Sequence, residues 1–239
     1  MNMKKQLILF LSLMLTFNCM SQEKKFYSLN DYLDNYKFSY VTQVESKKDT
    51  LVLYGYDEND NSTLKNRKVK LDRYEVLGIN EWSWIFNKGH FKPLPISITS
   101  VPFKVRQGFD EFETTATSGI KNLGLNFDLG RWKTERYFAS GKKSTHKFYA
   151  GIWVAPSAEE LDFTQTRGFL ADGTKSKQLF ISTALTINYA YNNLTFTFVP
   201  MGFDIATSSV GKEWVYNERR WWGFGIGIEP KFLNSIVNK

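Results

Sequence analysis

The sequence predicts an all-β protein: a small antiparallel up-and-down transmembrane β-barrel of about eight strands, preceded by a β-rich N-terminal segment. Three observations lead there. Between residues 178 and 232, three segments alternate apolar with small or polar residues at a period of two, the pattern of two-faced strands. Aromatic residues make up 16% of the 239-residue chain and recur inside those segments, where β-structure favours them. No internal run of about 18 apolar residues offers a spanning helix, whereas a spanning strand needs only about 9–11 residues and hides half its polarity in the lumen.

The chain opens with a targeting signal. Lys4 and Lys5 precede an apolar run over residues 7–15 that is broken only by Ser12, and the segment ends in Cys19-Met20-Ser21 before Gln22. Residues 1–21 therefore read as a signal peptide cleaved after Ser21. Lipidation of Cys19 is the rival, opposed by Phe17 and Asn18 where small residues are expected. Either route exports the protein. Cleavage removes the single cysteine, and with it any disulfide framework or thiol nucleophile. It also removes two lysines and lowers the formal net charge from +7 to +5. The remaining basic residues are dispersed, without an aromatic-interleaved strip, so nucleic acid is not an expected partner.

Residues 22–92 form the β-rich N-terminal segment, either periplasmic or supplying the first barrel strands. Residues 38–44 and 50–54 flank Ser46-Lys47-Lys48-Asp49 and read as a hairpin. Residues 57–66 read as a polar loop and 68–71 as a short strand. Trp82, Trp84, Phe86 and Phe91 make an aromatic cluster ahead of Pro93 and Pro95, read as the core of this segment in preference to an interface anchor.

Residues 93–239 are assigned to the barrel. In 96–106 the apolar positions change phase, Ile96 and Ile98 giving way to Val101, Phe103 and Val105, which predicts a β-bulge near Ser100 to Pro102. Leu123, Leu125, Phe127 and Leu129 alternate with Gly124, Asn126, Asp128 and Gly130. Phe148, Ala150, Ile152 and Val154 alternate with Tyr149, Gly151, Trp153 and Ala155. The next strand is followed by Asn192-Asn193, a two-residue hairpin turn, and by Leu194, Phe196 and Phe198, with a second bulge at Pro200. The last strand sets Trp222, Phe224, Ile226 and Ile228 against Trp221, Gly223, Gly225 and Gly227. With the Asn192 turn facing the periplasm, the loops at 107–118, 156–176 and 207–218 fall together on the outer side. Six strands are visible from Ile96 onward, so residues 38–56 are the expected source of the missing pair.

Alternation alone does not say which face meets solvent, and a secreted lipocalin-like lipid-binding barrel is the soluble alternative. A soluble exterior should be rich in Lys and Glu. Here the second face mixes glycines with Tyr149, Trp153, Phe180 and Trp221, which suits the filled interior of a narrow barrel. The other face, aliphatic with Tyr189, Tyr191 and Trp222 near strand ends, suits a lipid band with aromatic girdles.

The run from Lys212 through Trp214 and Tyr216 to Trp221-Trp222-Gly223-Phe224-Gly225-Ile226-Gly227, with residues 101–106 upstream, resembles the small uncharacterised outer-membrane β-barrel proteins of Gram-negative bacteria. Residues 223–228 are also similar to the assembly signal on the last strand of such barrels, with Phe232 as the aromatic. Trp222 stands where a polar residue is usual, and seven residues follow Phe232. The resemblance covers 96–232. It implies outer-membrane lipid and the barrel assembly machinery as partners, beside an unknown extracellular ligand or protein.

Catalytic chemistry finds no support. The Gly223-x-Gly225-x-Gly227 spacing lies in a strand with no helix after it to hold a phosphate, and His90 and His146 lack partners at metal-ligand spacing. No catalytic residue, metal or cofactor is expected. The one constellation is a lumen charge network, with Lys104, Arg106 and Asp204 towards the outer end and Asp128, Glu229 and Lys231 towards the inner end. Opposite charges at matching depth in a narrow interior predict ion pairs that plug the barrel, with a polar lining lacking specific pairs as the alternative. The expected role is structural or loop-mediated binding at the cell envelope, with a narrow channel for small solutes as the alternative.

Overall fold

A computed structural model describes residues 28–29, 38–47, 49–57, 60–71, 76–87, 90–91, 95–118, 122–138 and 140–230. Expectations for the signal peptide, Cys19, Lys231 and Phe232 fall outside these residues. The described chain is nearly all β. Its strands are β1 (Ser28–Leu29), β2 (Phe38–Lys47), β3 (Thr50–Asp57), β4 (Asp60–Lys70), β5 (Val76–Trp84), β6 (Phe86–Asn87), β7 (His90–Phe91) and β8 (Ile96–Arg106). There follow β9 (Thr115–Ser118), β10 (Leu123–Phe138), β11 (Lys143–Leu161), β12 (Ser176–Tyr191), β13 (Leu194–Ala206), a one-turn helix α1 (Ser209–Lys212) and β14 (Arg220–Ile228).

The largest sheet closes on itself. β10 through β14 pair with their sequence neighbours, all antiparallel, β14 pairs with β8, and β8 pairs with β10, which gives a hydrogen-bonded ring of six strands. The same sheet continues beyond the ring through β5, β1 and β9. The hairpin proposed for the missing pair, β2–β3, joins β4 in a separate three-stranded sheet packed around Leu51, Leu53 and Val69. Residues 60–66 belong to that sheet, although their polar sequence reads as a loop: β4 is an edge strand, where Thr63 and Asn66 are exposed and the backbone still pairs.

β10 changes partner along its length. Residues 123–127 pair with β8, and residues 130–138 pair with β5, which takes the flank that β8 leaves empty. The exchange coincides with a register shift against β11 between Asp128 and Gly130. The shift turns Gly130 to the outside, contrary to the alternation, and the Trp84 ring lies against it: a Cβ there would meet the ring at 2.3 Å. Irregularities also fall at Ser100 to Phe103 and around Pro200, where the phase changes predict them.

Two other segments depart from expectation. β11 runs through Pro156 to Leu161, paired with β12 as far as Ser176, so the following loop is only residues 162–175. At its near end the β10–β11 hairpin projects past the Asn192-Asn193 turn, because Thr145 is the last β11 residue to bond that turn, through its amide to Asn192 Oδ1 and its carbonyl to the Asn192 amide. Asn192 takes a positive φ of 55°, as the dipeptide turn requires.

The ring is built inside out relative to a soluble barrel. Leu125, Phe196 and Ile226 are exposed (Ile226 at 53%), while Ile152 and Leu185 are half-buried on the same outward face. Gly124, Gly151, Gly223, Gly225 and Gly227 face inward and are buried. The space inside six strands demands them, since a Cβ on Gly223 would sit 2.2 Å from the Phe103 carbonyl oxygen of the adjoining strand.

Candidate functional site

The barrel interior holds two ionic clusters separated by a largely apolar layer. At the loop end, β8 turns Lys104 and Arg106 inward and β13 turns Asp204 to meet them, because the two bulges bring these positions back into phase. Lys104 Nζ donates to Asp204 Oδ1 at 3.0 Å and to Ser182 Oγ at 2.9 Å, and the Ser182 hydroxyl donates to Asp204 at 2.5 Å. Arg106 reaches Asp204 Oδ2 at 2.7 Å through Nη2 and 3.2 Å through Nε, Glu159 at 2.8 Å, and Thr117 at 2.7 Å. Lys104 is wholly buried. Two bases meet two acids, so the cluster is formally neutral, and its charged donors are met by charged acceptors, the condition under which buried ions are tolerable.

At the turn end, Asp128 pairs with Arg131, whose guanidinium also lies 3.4 Å from Glu229, and Lys147 pairs with the other Glu229 oxygen. This cluster is also two acids and two bases. Arg131 and Lys147 were not legible in the sequence: the register shift at Asp128 moves Arg131 into the lumen phase, and Lys147 precedes the recognised part of its strand. The inner base expected there, Lys231, lies outside the described residues.

Between the clusters, Trp153 and Trp221 meet edge to face with centroids 6.1 Å apart, packed with Val101, Ala155, Ala184 and Val199. Lys104 lies 4.5 Å from the Trp221 ring centroid, so the ammonium is met by a π-face as well as by its counter-ion. Gly202 lets that indole lie flat against the wall, since a Cβ there would be 2.3 Å from the ring. Towards the turn end, Asn126, Thr186, Asn188 and Thr197 bond one another side chain to side chain, with distances of 2.8–3.0 Å.

The three loops that fall together at the loop end pack into a cap. Leu161, Phe180, Trp214, Val215 and Tyr216 form a buried cluster flanked by Phe109, Phe112 and Leu170 from the other two loops. The Tyr216 hydroxyl donates to the Glu113 carbonyl at 2.5 Å, and the Val215 amide to the Gln165 carbonyl at 3.0 Å, which ties all three loops together. Ser208 caps α1 by accepting from the Gly211 amide. Trp214 lies over Arg106, 4.8 Å from ring centroid to guanidinium, so the cap rests on the outer ionic cluster.

No protein-family model, curated protein or solved structure matches this chain. Its role is argued from the geometry. His146, one of the two histidines weighed for chemistry, lies on the outward face and bonds the Tyr189 hydroxyl at 2.8 Å, beside Tyr191. No group of three or more metal-ligating side chains occurs among the described residues, and no helix there is long and apolar enough to cross a membrane.

Proposed function

We propose that this chain is a plugged outer-membrane β-barrel of a Gram-negative envelope, exported by its signal peptide, with a structural or loop-mediated binding role and no catalytic one. The observation that carries the reading is the inverted wall: an exposed aliphatic and aromatic band around the ring, set against a buried lining of glycines, hydroxyls and neutralised charge. Soluble proteins rarely leave an apolar patch larger than a few hundred Å² open to water. The height of the band suits a bilayer. On β12 the outward residues run from Leu179 to Tyr191, twelve residue steps, or about 40 Å along the strand and about 30 Å at a tilt of about 40°.

The filled interior favours a plug over a narrow channel, because two neutral ionic clusters and a tryptophan layer occupy the path that solute would take. It also disfavours a lipid carrier. The apolar groove, of about 510 Å³, runs along the outer wall past Phe103, Phe148, Ile187, Phe198 and Phe224. Catalysis is disfavoured because Ser182, Lys104 and Asp204, the set closest to a nucleophile with a base, are sealed beneath the cap. The cap, with Phe163 and Phe169 exposed on its outer loop, is the surface left for a ligand or protein.

Fractionation of cells, followed by electrophoresis with and without boiling, tests the reading. The expected result is a membrane-fraction protein whose unboiled form migrates differently. Recovery in the soluble fraction with an apolar ligand bound would favour the carrier, and steady single-channel conductance would favour the pore.

A further inference from the structure

We infer that the outward face of β5, with Trp132 of β10, is a lipid-docking surface that holds the segment entering the barrel against the headgroup region of the inner leaflet. The inference rests on the membrane reading above and extends it to a strand outside the ring. Trp82 and Trp84 are 47% and 41% exposed, so they do not form the core of an N-terminal domain as their clustering in sequence suggests. Their rings stack at 6.5 Å and 9°, and Trp82 lies 6.2 Å from Trp132.

Continuity identifies the occupant. One outward row of cross-strand partners runs Trp82, Trp132, Phe148, Tyr189, Phe196 and Ile226, so the tryptophans prolong the wall's apolar belt without a step. They enter it at the end bearing the Asn192 turn, where His146, Tyr189 and Tyr191 already place rings with polar tips. Indoles prefer that depth of a bilayer because the ring is apolar and the N–H can stay hydrated. Gly130 makes the fit possible: without a side chain it lets the Trp84 indole lie flat on the wall, flush with its neighbours. β5 contributes nothing to ring closure, so barrel formation alone does not require Trp82 and Trp84 there.

The test folds the full chain into vesicles of phosphatidylethanolamine and phosphatidylglycerol containing lipids spin-labelled near the headgroup. Tryptophan quenching is compared between the native chain and the W82F/W84F/W132F variant, with W82F/W84F as the substitute if the triple variant does not fold. A large quencher-sensitive, blue-shifted component that disappears in the variant is the expected result. Equal fractional quenching in both proteins, with both floating with the vesicles and both heat-modifiable, overturns this inference alone. Protection of the indoles by a cross-linkable second copy overturns it as well. Failure of the native chain to float overturns the membrane reading on which it rests.

Discussion

Lys104 Nζ and Asp204 Oδ1 stand 3.0 Å apart inside the barrel, with Arg106 on the second carboxylate oxygen. One acid therefore bridges two bases that belong to β8, from a strand two places round the ring, and Glu159 supplies the second negative charge through Arg106. Replacing it by an isosteric neutral group strands the buried Lys104 without a counter-ion and leaves Arg106 with Glu159 alone. Asp204→Asn is expected to cost about 3–5 kcal/mol. Urea titration of the vesicle-folded protein, read as loss of the unboiled gel band, measures it. A cost below about 1 kcal/mol would mean that the cluster is hydrated.

The outward band predicts a sign that depends on surroundings. Ile226→Arg places a cation in hydrocarbon and is expected to destabilise the protein by about 2–4 kcal/mol in vesicles. In a water-soluble barrel the same change at a half-exposed position would be nearly neutral. Equal stability of the two proteins in vesicles, measured by urea titration, would count against lipid contact at that residue.

Across the same strand, Gly223→Ala directs its methyl at the Phe103 carbonyl, 2.2 Å from an ideal Cβ. The obstacle is backbone, so the strands must part for it to fit. About 1–3 kcal/mol of overpacking is expected, read in the same titration.

The cap and the interior separate experimentally. Trp214→Ala removes the largest cap side chain, at an expected cost of about 3–5 kcal/mol to the packed loops, seen as faster cleavage within residues 207–219 by added protease. Conductance in planar bilayers should stay at background, because the Trp153–Trp221 layer still blocks the lumen. A current appearing in this variant would make the cap, and not the layer below it, the barrier.

Glu135 supplies a pH test where the β10–β11 hairpin projects past the Asn192 turn. Burial works to raise its pKa, but Lys133 beside it and hydrogen bonds from Lys133, Lys143 and Tyr137 outweigh burial and bring the carboxyl down to about 2. A depressed acid stabilises the folded hairpin above its ordinary value of 4.5, and that contribution is lost as pH falls towards 2. Hydrogen-exchange protection of residues 133–145 should therefore weaken over that interval, and Glu135→Gln should weaken protection at neutral pH and remove the dependence.

How far the sequence carried depends on how local each signal was. The alternation of β12, β13 and β14 is uninterrupted and short in range, so their faces, turn and bulges were legible. Gly130 and Arg131 were misplaced or missed because one extra residue at Leu129 inverts every later side chain on β10, and only the pairing with β11 reveals it. The outer cluster was legible because Lys104, Arg106 and Asp204 lie beside prolines that mark the bulges; its Glu159 was hidden behind Pro156, which reads as a strand end but here lies within one. Which strands close the ring was not legible because closure is a long-range fact: nothing near Ile98 in sequence announces that it meets Ile228.

That junction has a consequence for biogenesis. The wall is sealed between the first and the last strand of the ring, so a nascent chain released before residue 220 would leave the flanks of β8 and β13 unsatisfied, two raw margins open to mispairing. The sealing strand carries glycine at three alternate positions on its inner side, leaving little bulk to thread past the crowded lumen at the final step. A ribosome or a protease that truncates this protein late would thus yield a sticky ribbon in place of a shorter barrel.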